Sequence, residues 1–415
     1  MRLGKYSFGI GDRFNHQGKA QLKALMMARD AGLEIIPVWN KSNREHQIVK
    51  STPDLTRQEA DEATMVMNWD LPYFVDADHI NLFNVDKFIE HCDFFTIDVA
   101  EYISKPAVDE DVEEYIENNR KYTGKLHVTG IDDDFTITED FLAEIGFKFL
   151  NAAQEAGKIY RYINKRRSGK DFITEISMDE VDNPQTPAEL LFILGMLANE
   201  KIPLQTIAPK FTGRFNKGID YSGDPAQFRQ EFEQDLLVID HAVNSLGLPD
   251  NLKLSIHSGS DKFTIYPIIG DLIAQYDKGI HLKTAGTTWL EEIIGLAEAD
   301  EEGFNLVKEI YRDAYSRKDE LCKPYSAVIR IEESSLPSPD TVHHWDSNKF
   351  INTLRHVPDH PDYNPNLRQL IHVGYKVAAE MDERYVKALK KYAEVIGKNV
   401  TENIYERHLQ RLFKF

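Results

Sequence analysis

Four short stretches of this 415-residue chain end apolar runs on side chains that could do chemistry. Leu254-Ser255-Ile256-His257 runs into Ser258-Gly259-Ser260-Asp261-Lys262, and Ile280-His281-Leu282-Lys283 follows it. Phe172-Ile173-Thr174-Glu175-Ile176-Ser177 leads to Asp179, and a run from Leu126 to Ile131 leads to Asp132-Asp133-Asp134. Side chains in an extended strand alternate between two faces. With the apolar members of each run against one layer, Ser255, His257, His281, Lys283, Glu175, Asp179, His127 and Asp133 share the other face. Two imidazoles with carboxylates and no cysteine nearby suit Zn²⁺, Mn²⁺, Co²⁺ or Ni²⁺. Such an ion polarises a carbonyl and its neighbouring hydroxyl. Arg13, Lys210, Lys262 and Lys283 each stand near a strand end, where they would meet a substrate carboxylate or phosphate. Asp179 and Asp261 are further candidate substrate contacts.

Each feature has a plainer reading. A lone barrel His or Glu more often belongs to a structural hydrogen-bond layer, and two His on adjacent strands with the same facing shift that balance toward ligation. Asp132-Asp133-Asp134 is also what a helix start looks like, since carboxylates favour helix N-termini. His343-His344-Trp345-Asp346 reads as a solvated or packing segment, and the acidic stretch 109–117 as a solvated helix face.

Eight strands are expected to position these residues, at 6–10, 33–39, 94–99, 126–131, 172–177, 203–208, 252–257 and 280–284. Helical stretches follow them, at about 19–31, through a long polar excursion at 56–91, then 113–120, 139–156, 186–199 and 224–245. Strand–helix alternation of this kind predicts a closed (β/α)8 barrel of the TIM type over residues 1–320, with chemistry at the strand ends. Residues 321–415 change to Pro-rich loops and helix, and read as a C-terminal helical extension packed on the barrel or as an oligomerisation element. Gly9-Ile10-Gly11 lacks the third glycine and the acidic strand end of a dinucleotide site.

A formal charge of −19 disfavours nucleic acid and anionic lipid as partners, and it requires a local basic site for any anionic substrate. Two cysteines, Cys92 and Cys322, give neither a thiolate metal site nor a disulfide framework. No signal-peptide core and no apolar run of membrane-spanning length are visible, so a cytoplasmic enzyme is expected.

In these stretches the chain resembles the tagaturonate/fructuronate epimerase family, which includes enzymes acting on tagatose and fructose. The likeness rests on Gly9-Ile10-Gly11-Asp12-Arg13-Phe14, Glu175–Glu180 with Pro184-Gln185-Thr186-Pro187, Ala208–Phe215, Lys217–Tyr221, Leu254–Phe263 and Leu282–Thr287. The resemblance implies a metal-dependent barrel enzyme that inverts one hydroxyl-bearing carbon of a keto-hexuronate. Carried onto this chain, it assigns the metal to Asp134, His257 and His281. Acid–base work goes to Asp133 and Glu175, with Asp179 or Glu180 as alternates for either carboxylate.

The inverted carbon of such a substrate is β to the ketone, so enolisation alone cannot epimerise it. Retro-aldol cleavage, rotation of the aldehyde and re-addition can, given a Lewis acid, a base and a carboxylate clamp. Transient oxidation by hydride transfer is the other route, but no nucleotide site supports it. Competing functions are a metal-dependent aldolase or aldose–ketose isomerase, a Schiff-base aldolase on Lys283, and a sugar-acid binding protein without catalysis.

Overall fold

The computed structural model describes residues 1–415 apart from Gly259 and Ala285. Eight parallel strands close into a barrel: β1 (Tyr6–Ile10), β2 (Ile36–Ser42), β3 (Phe74–Ile80), β4 (Phe94–Asp98), β5 (Ile173–Ser177), β6 (Thr206–Ala208), β7 (Lys253–His257) and β8 (Ile280–Lys283). Each strand pairs with its neighbours in sequence, and β1 closes the ring on β8 through Tyr6 opposite Ile280 and Gly9 opposite Lys283. Gly9 is required there, because a Cβ would sit 2.8 Å from Lys283 Cγ.

The expected count of eight holds, but its membership is corrected. The run at 126–131 is not a barrel strand. Gly124–Leu126 pairs antiparallel with Phe135–Ile137 in a hairpin outside the barrel, with the three aspartates in its exposed turn. The missing strand is β3, inside a stretch expected to be helical. Its sequence, Phe-Val-Asp-Ala-Asp-His-Ile, alternates with period two, but two aspartates depress its strand propensity. Val75 and Ala77 pack outward on the helical layer, while Phe74 belongs to the barrel interior.

That interior is layered. Leu3, Ile36, Val38, Phe74, Phe94 and Ile173 fill its lower half as an apolar plug. Above it the interior turns polar, with Asp76, Thr96, Glu175, Thr206 and Lys283 all buried. Solvated side chains therefore begin only at the C-terminal ends of the strands, where barrel chemistry resides.

Outside, the helix Pro187–Asn199 illustrates why the covering layer forms. Thr186 and Glu189 make a reciprocal capping box, Pro187 occupies the first turn, and Leu190, Leu194 and Leu197 are buried against the barrel. Past residue 320 the chain is helical and returns to the barrel mouth and flank. No helix among the described residues is long and apolar enough to cross a membrane.

Candidate active site

The C-terminal mouth of the barrel opens into a cavity of about 440 Å³. Its floor is a buried charge cluster. Lys283 Nζ lies 2.7 Å from Asp76, 3.0 Å from Asp78 and 2.7 Å from Glu175. Burial lowers its pKa, but the three carboxylates outweigh burial and hold the ammonium well above its ordinary pKa. Burial also pushes Asp76 up to about 7, against the pull of Lys283.

His257 stands on this floor. Its Nε2 is 2.8 Å from Glu175 Oε1, and Glu175 is fixed further by the hydroxyls of Thr206 (2.7 Å) and Thr96 (3.1 Å). The buried Nδ1 lies 3.2 Å from Asp179 Oδ1 but off the line of a hydrogen bond, so this ring nitrogen is unsatisfied. Asp179 follows β5 and is steadied by the Ser177 hydroxyl at 2.5 Å.

His79 completes the group. Simple alternation along β3 would send it to the helix side. A register shift between Ala77 and Ile80, with His79 at φ 51°, re-aims it into the cavity. Its Nδ1 meets Asp98 at 3.1 Å, while Nε2 makes no hydrogen bond with a described residue and lies 3.9 Å from Asp78. The His79 and His257 rings stand nearly perpendicular, their centroids 5.2 Å apart.

One donor atom each from His79, Asp179 and His257 lies within 4.8 Å of the others. Two imidazoles and a carboxylate can hold a first-row divalent ion. The unsatisfied Nδ1 of His257, with Glu175 fixing the opposite nitrogen, is the carboxylate–histidine arrangement that orients a ligand toward a metal. Electrostatics agree. Burial lowers the pKa of His257, but Asp179 and Glu175 outweigh it and raise the ring to about 9. Burial likewise disfavours charged His79, yet Asp78 and Asp98 raise it well above the ordinary value. The carboxylates thus demand cations at this spot.

The sequence profile of the tagaturonate epimerase family matches residues 1–412. The chain belongs to that family. It is therefore an isomerase of the epimerase type. It is 29% identical to a tagaturonate/fructuronate epimerase of Thermotoga maritima, over 98% of this chain and 80% of that one. A glycerol-bound crystal structure of a fructuronate-tagaturonate epimerase from Cohnella laeviribosi superposes with a TM-score of 0.82 at 23% identity. It covers 99% of this chain and 82% of that chain. The native form of that enzyme gives 0.80 at 22% identity. These likenesses carry the barrel fold.

The expected site residues divide. His257, Asp179, Lys283, Lys210 and Arg13 line the cavity, with Glu175 directly behind His257. Asp133 and Asp134 do not reach this group; they are exposed on the hairpin, where Asp134 meets His127 at 3.0 Å. His281 points inward as expected but one layer too deep. It pairs in register with Ser255 rather than His257, bonds Ser7 at 2.9 Å, and burial drops its pKa to about 3. Asp261 is a buried hub for Arg368 (2.7 Å), His356 and His408 (3.1 Å each) of the C-terminal extension. Lys262 donates to the carbonyls of Asn216 and Ile219, away from the cavity. Lys283 is saturated by carboxylates and cannot also clamp an anion. His79 and Asp78 went unforeseen because β3 and its bulge did; Asp98 ends β4, an expected strand, but was not singled out. An Asp-x-Asp-His end to a period-two run was the available signal.

Proposed function

We propose that the chain is a cytoplasmic, divalent-metal-dependent epimerase interconverting D-tagaturonate and D-fructuronate. One observation carries the reading: a His79–Asp179–His257 group backed by Glu175, on the floor of a cavity whose rim is cationic. A divalent ion held by those three residues would supply Lewis acidity toward a ketone and its neighbouring hydroxyl.

The protein's own residues do the rest. Glu175 holds His257 in one tautomer and one orientation. The Lys283 cluster keeps the floor rigid and dry. Glu180 lines the cavity without an ion-pair partner among the described residues, which fits it for proton transfer. It takes the proton from the hydroxyl on the inverting carbon as the bond to the carbon next to the ketone breaks. The aldehyde half turns its other face, the C–C bond re-forms, and the new alkoxide recovers a proton. Arg13 and Lys210 would contact the substrate from the cavity wall.

A Schiff-base aldolase is disfavoured, because Lys283 is held charged by three carboxylates and lacks a nucleophilic lone pair. The test is an NMR assay of the purified protein with tagaturonate, after chelation and after restoring Zn²⁺, Mn²⁺, Co²⁺ or Ni²⁺. Metal-dependent appearance of fructuronate is expected. Release of three-carbon products without fructuronate would replace the epimerase with a metal-dependent aldolase.

A further inference from the structure

Two cations at the cavity rim have no carboxylate to neutralise them. Arg44 follows β2 and Lys217 follows β6, strands on opposite sides of the ring, yet both reach the ring of Tyr325 in the C-terminal extension. The Arg44 guanidinium carbon is 5.4 Å from the Tyr325 centroid and Lys217 Nζ is 5.7 Å from it. All three side chains line the cavity. Neither cation makes an ion pair with a described residue. Glu45, the nearest acidic neighbour in sequence, is occupied by Arg13 at 3.2 Å and by the cap at Ser42.

The aromatic support is itself anchored. Tyr325 shares a 2.7 Å hydrogen bond with the hydroxyl of Tyr375, and Arg13 stacks 4.0 Å from the Tyr375 ring centroid. The Lys217 amide donates to the Val328 carbonyl at 2.8 Å, tying the β6 loop to the same extension. Two like charges gathered at one ring repel each other in a chain otherwise strongly acidic. A π face attracts each cation without neutralising it, so the pair retains its capacity to bind an anion.

We infer that Arg44 and Lys217, gathered by Tyr325, are the specificity-determining receptor for the substrate carboxylate. They would distinguish a sugar acid from a neutral ketose of the same length. The inference rests on the sugar-acid reading above and deepens it: the extension roofs the barrel and sets which end of the substrate faces the metal-binding group.

The test is calorimetric titration of the Mn²⁺-supplied protein with D-galactonate and with galactitol, which share a hydroxyl chain and differ by a carboxylate. Lys217→Met is expected to weaken galactonate about tenfold, the effect of one charge-assisted hydrogen bond, and to leave galactitol within about twofold. Tyr325→Leu, which removes the ring face, should behave as Lys217→Met. With tagaturonate, the loss in Lys217→Met should fall on KM rather than kcat, which a general structural defect would not produce. Equal weakening of both ligands, unchanged galactonate binding in Lys217→Met, or parent protein that binds no galactonate would each overturn the inference. If the parent binds galactonate but converts neither uronate, the epimerase reading fails while the carboxylate receptor stands.

Discussion

Replacing Glu175 by Gln separates two roles for this carboxylate. The residue is fully buried and its oxygens are occupied by Lys283, His257, Thr206 and Thr96, so no substrate hydroxyl can reach it. It acts by holding the His257 ring with Nδ1 turned toward Asp179. Glutamine keeps the shape and one acceptor but removes the charge that raises the basicity of His257. Loss of such a supporting carboxylate costs about 10- to 100-fold in metal affinity, or roughly 1.4–2.7 kcal/mol. Folding should survive, since Lys283 keeps Asp76 and Asp78. Alanine would instead strand buried partners at a cost of about 3–5 kcal/mol. The assay is competition for Mn²⁺ against a chelator of known affinity, followed by kcat at saturating metal. Glu175→Gln should bind Mn²⁺ more weakly and recover most of its kcat when metal is abundant. Unchanged metal affinity with kcat abolished at saturation would refute this reasoning and restore the acid–base role expected from sequence.

Other consequences follow from the same geometry. Asp133→Asn and Asp134→Asn together should change kcat/KM less than about twofold, because exposed residues away from the site contribute little; a large loss in steady-state rate would return the hairpin to the mechanism. Gly9→Ala forces a Cβ against Lys283 and should cost about 1–3 kcal/mol in thermal or denaturant unfolding, with reduced activity. In chelated protein at pH 7.5, His257 (about 9) and His79 (well above its ordinary value) both carry protons. Metal must displace them, so uptake should release about two protons per ion. Apparent affinity should then rise with pH through the neutral range, by up to about hundredfold per unit where both rings are protonated. Calorimetry in buffers of different ionisation enthalpy measures this, and proton-free binding would place the ion elsewhere.

Much of the barrel was legible because β5, β7 and β8 announce themselves with apolar alternation ending on His, Glu and Lys. The same alternation correctly turned Glu175, His257, His281 and Lys283 inward. It could not rank them by depth, since register between strands sets height along the axis, and register is a property of pairing. His281 was therefore credited with a ligand role one layer below the mouth. The site's other wall was illegible for a different reason. Asp76 and Asp78 are carboxylates that a strand tolerates only when Lys283 meets them from across the barrel, a partner some two hundred positions away. His79 additionally depends on a bulge, which breaks the periodicity used to find strands. The hairpin at 124–137 offered a better-looking apolar run and took the place of β3. Asp261, expected at the substrate, shows the converse: a polar strand-end residue whose charged and imidazole partners, Arg368, His356 and His408, come from the C-terminal extension.

In the proposed mechanism one ion held by His79, Asp179 and His257 drives the epimerisation. The most direct measurement strips the purified protein with chelator and restores Mn²⁺ in sub-stoichiometric steps, following conversion of tagaturonate to fructuronate by NMR at each step. Activity should vanish on stripping and rise linearly to a sharp break at one ion per chain, with Asp179→Asn showing no such break. Full turnover in protein verified to be metal-free, or an unchanged break in Asp179→Asn, would contradict it.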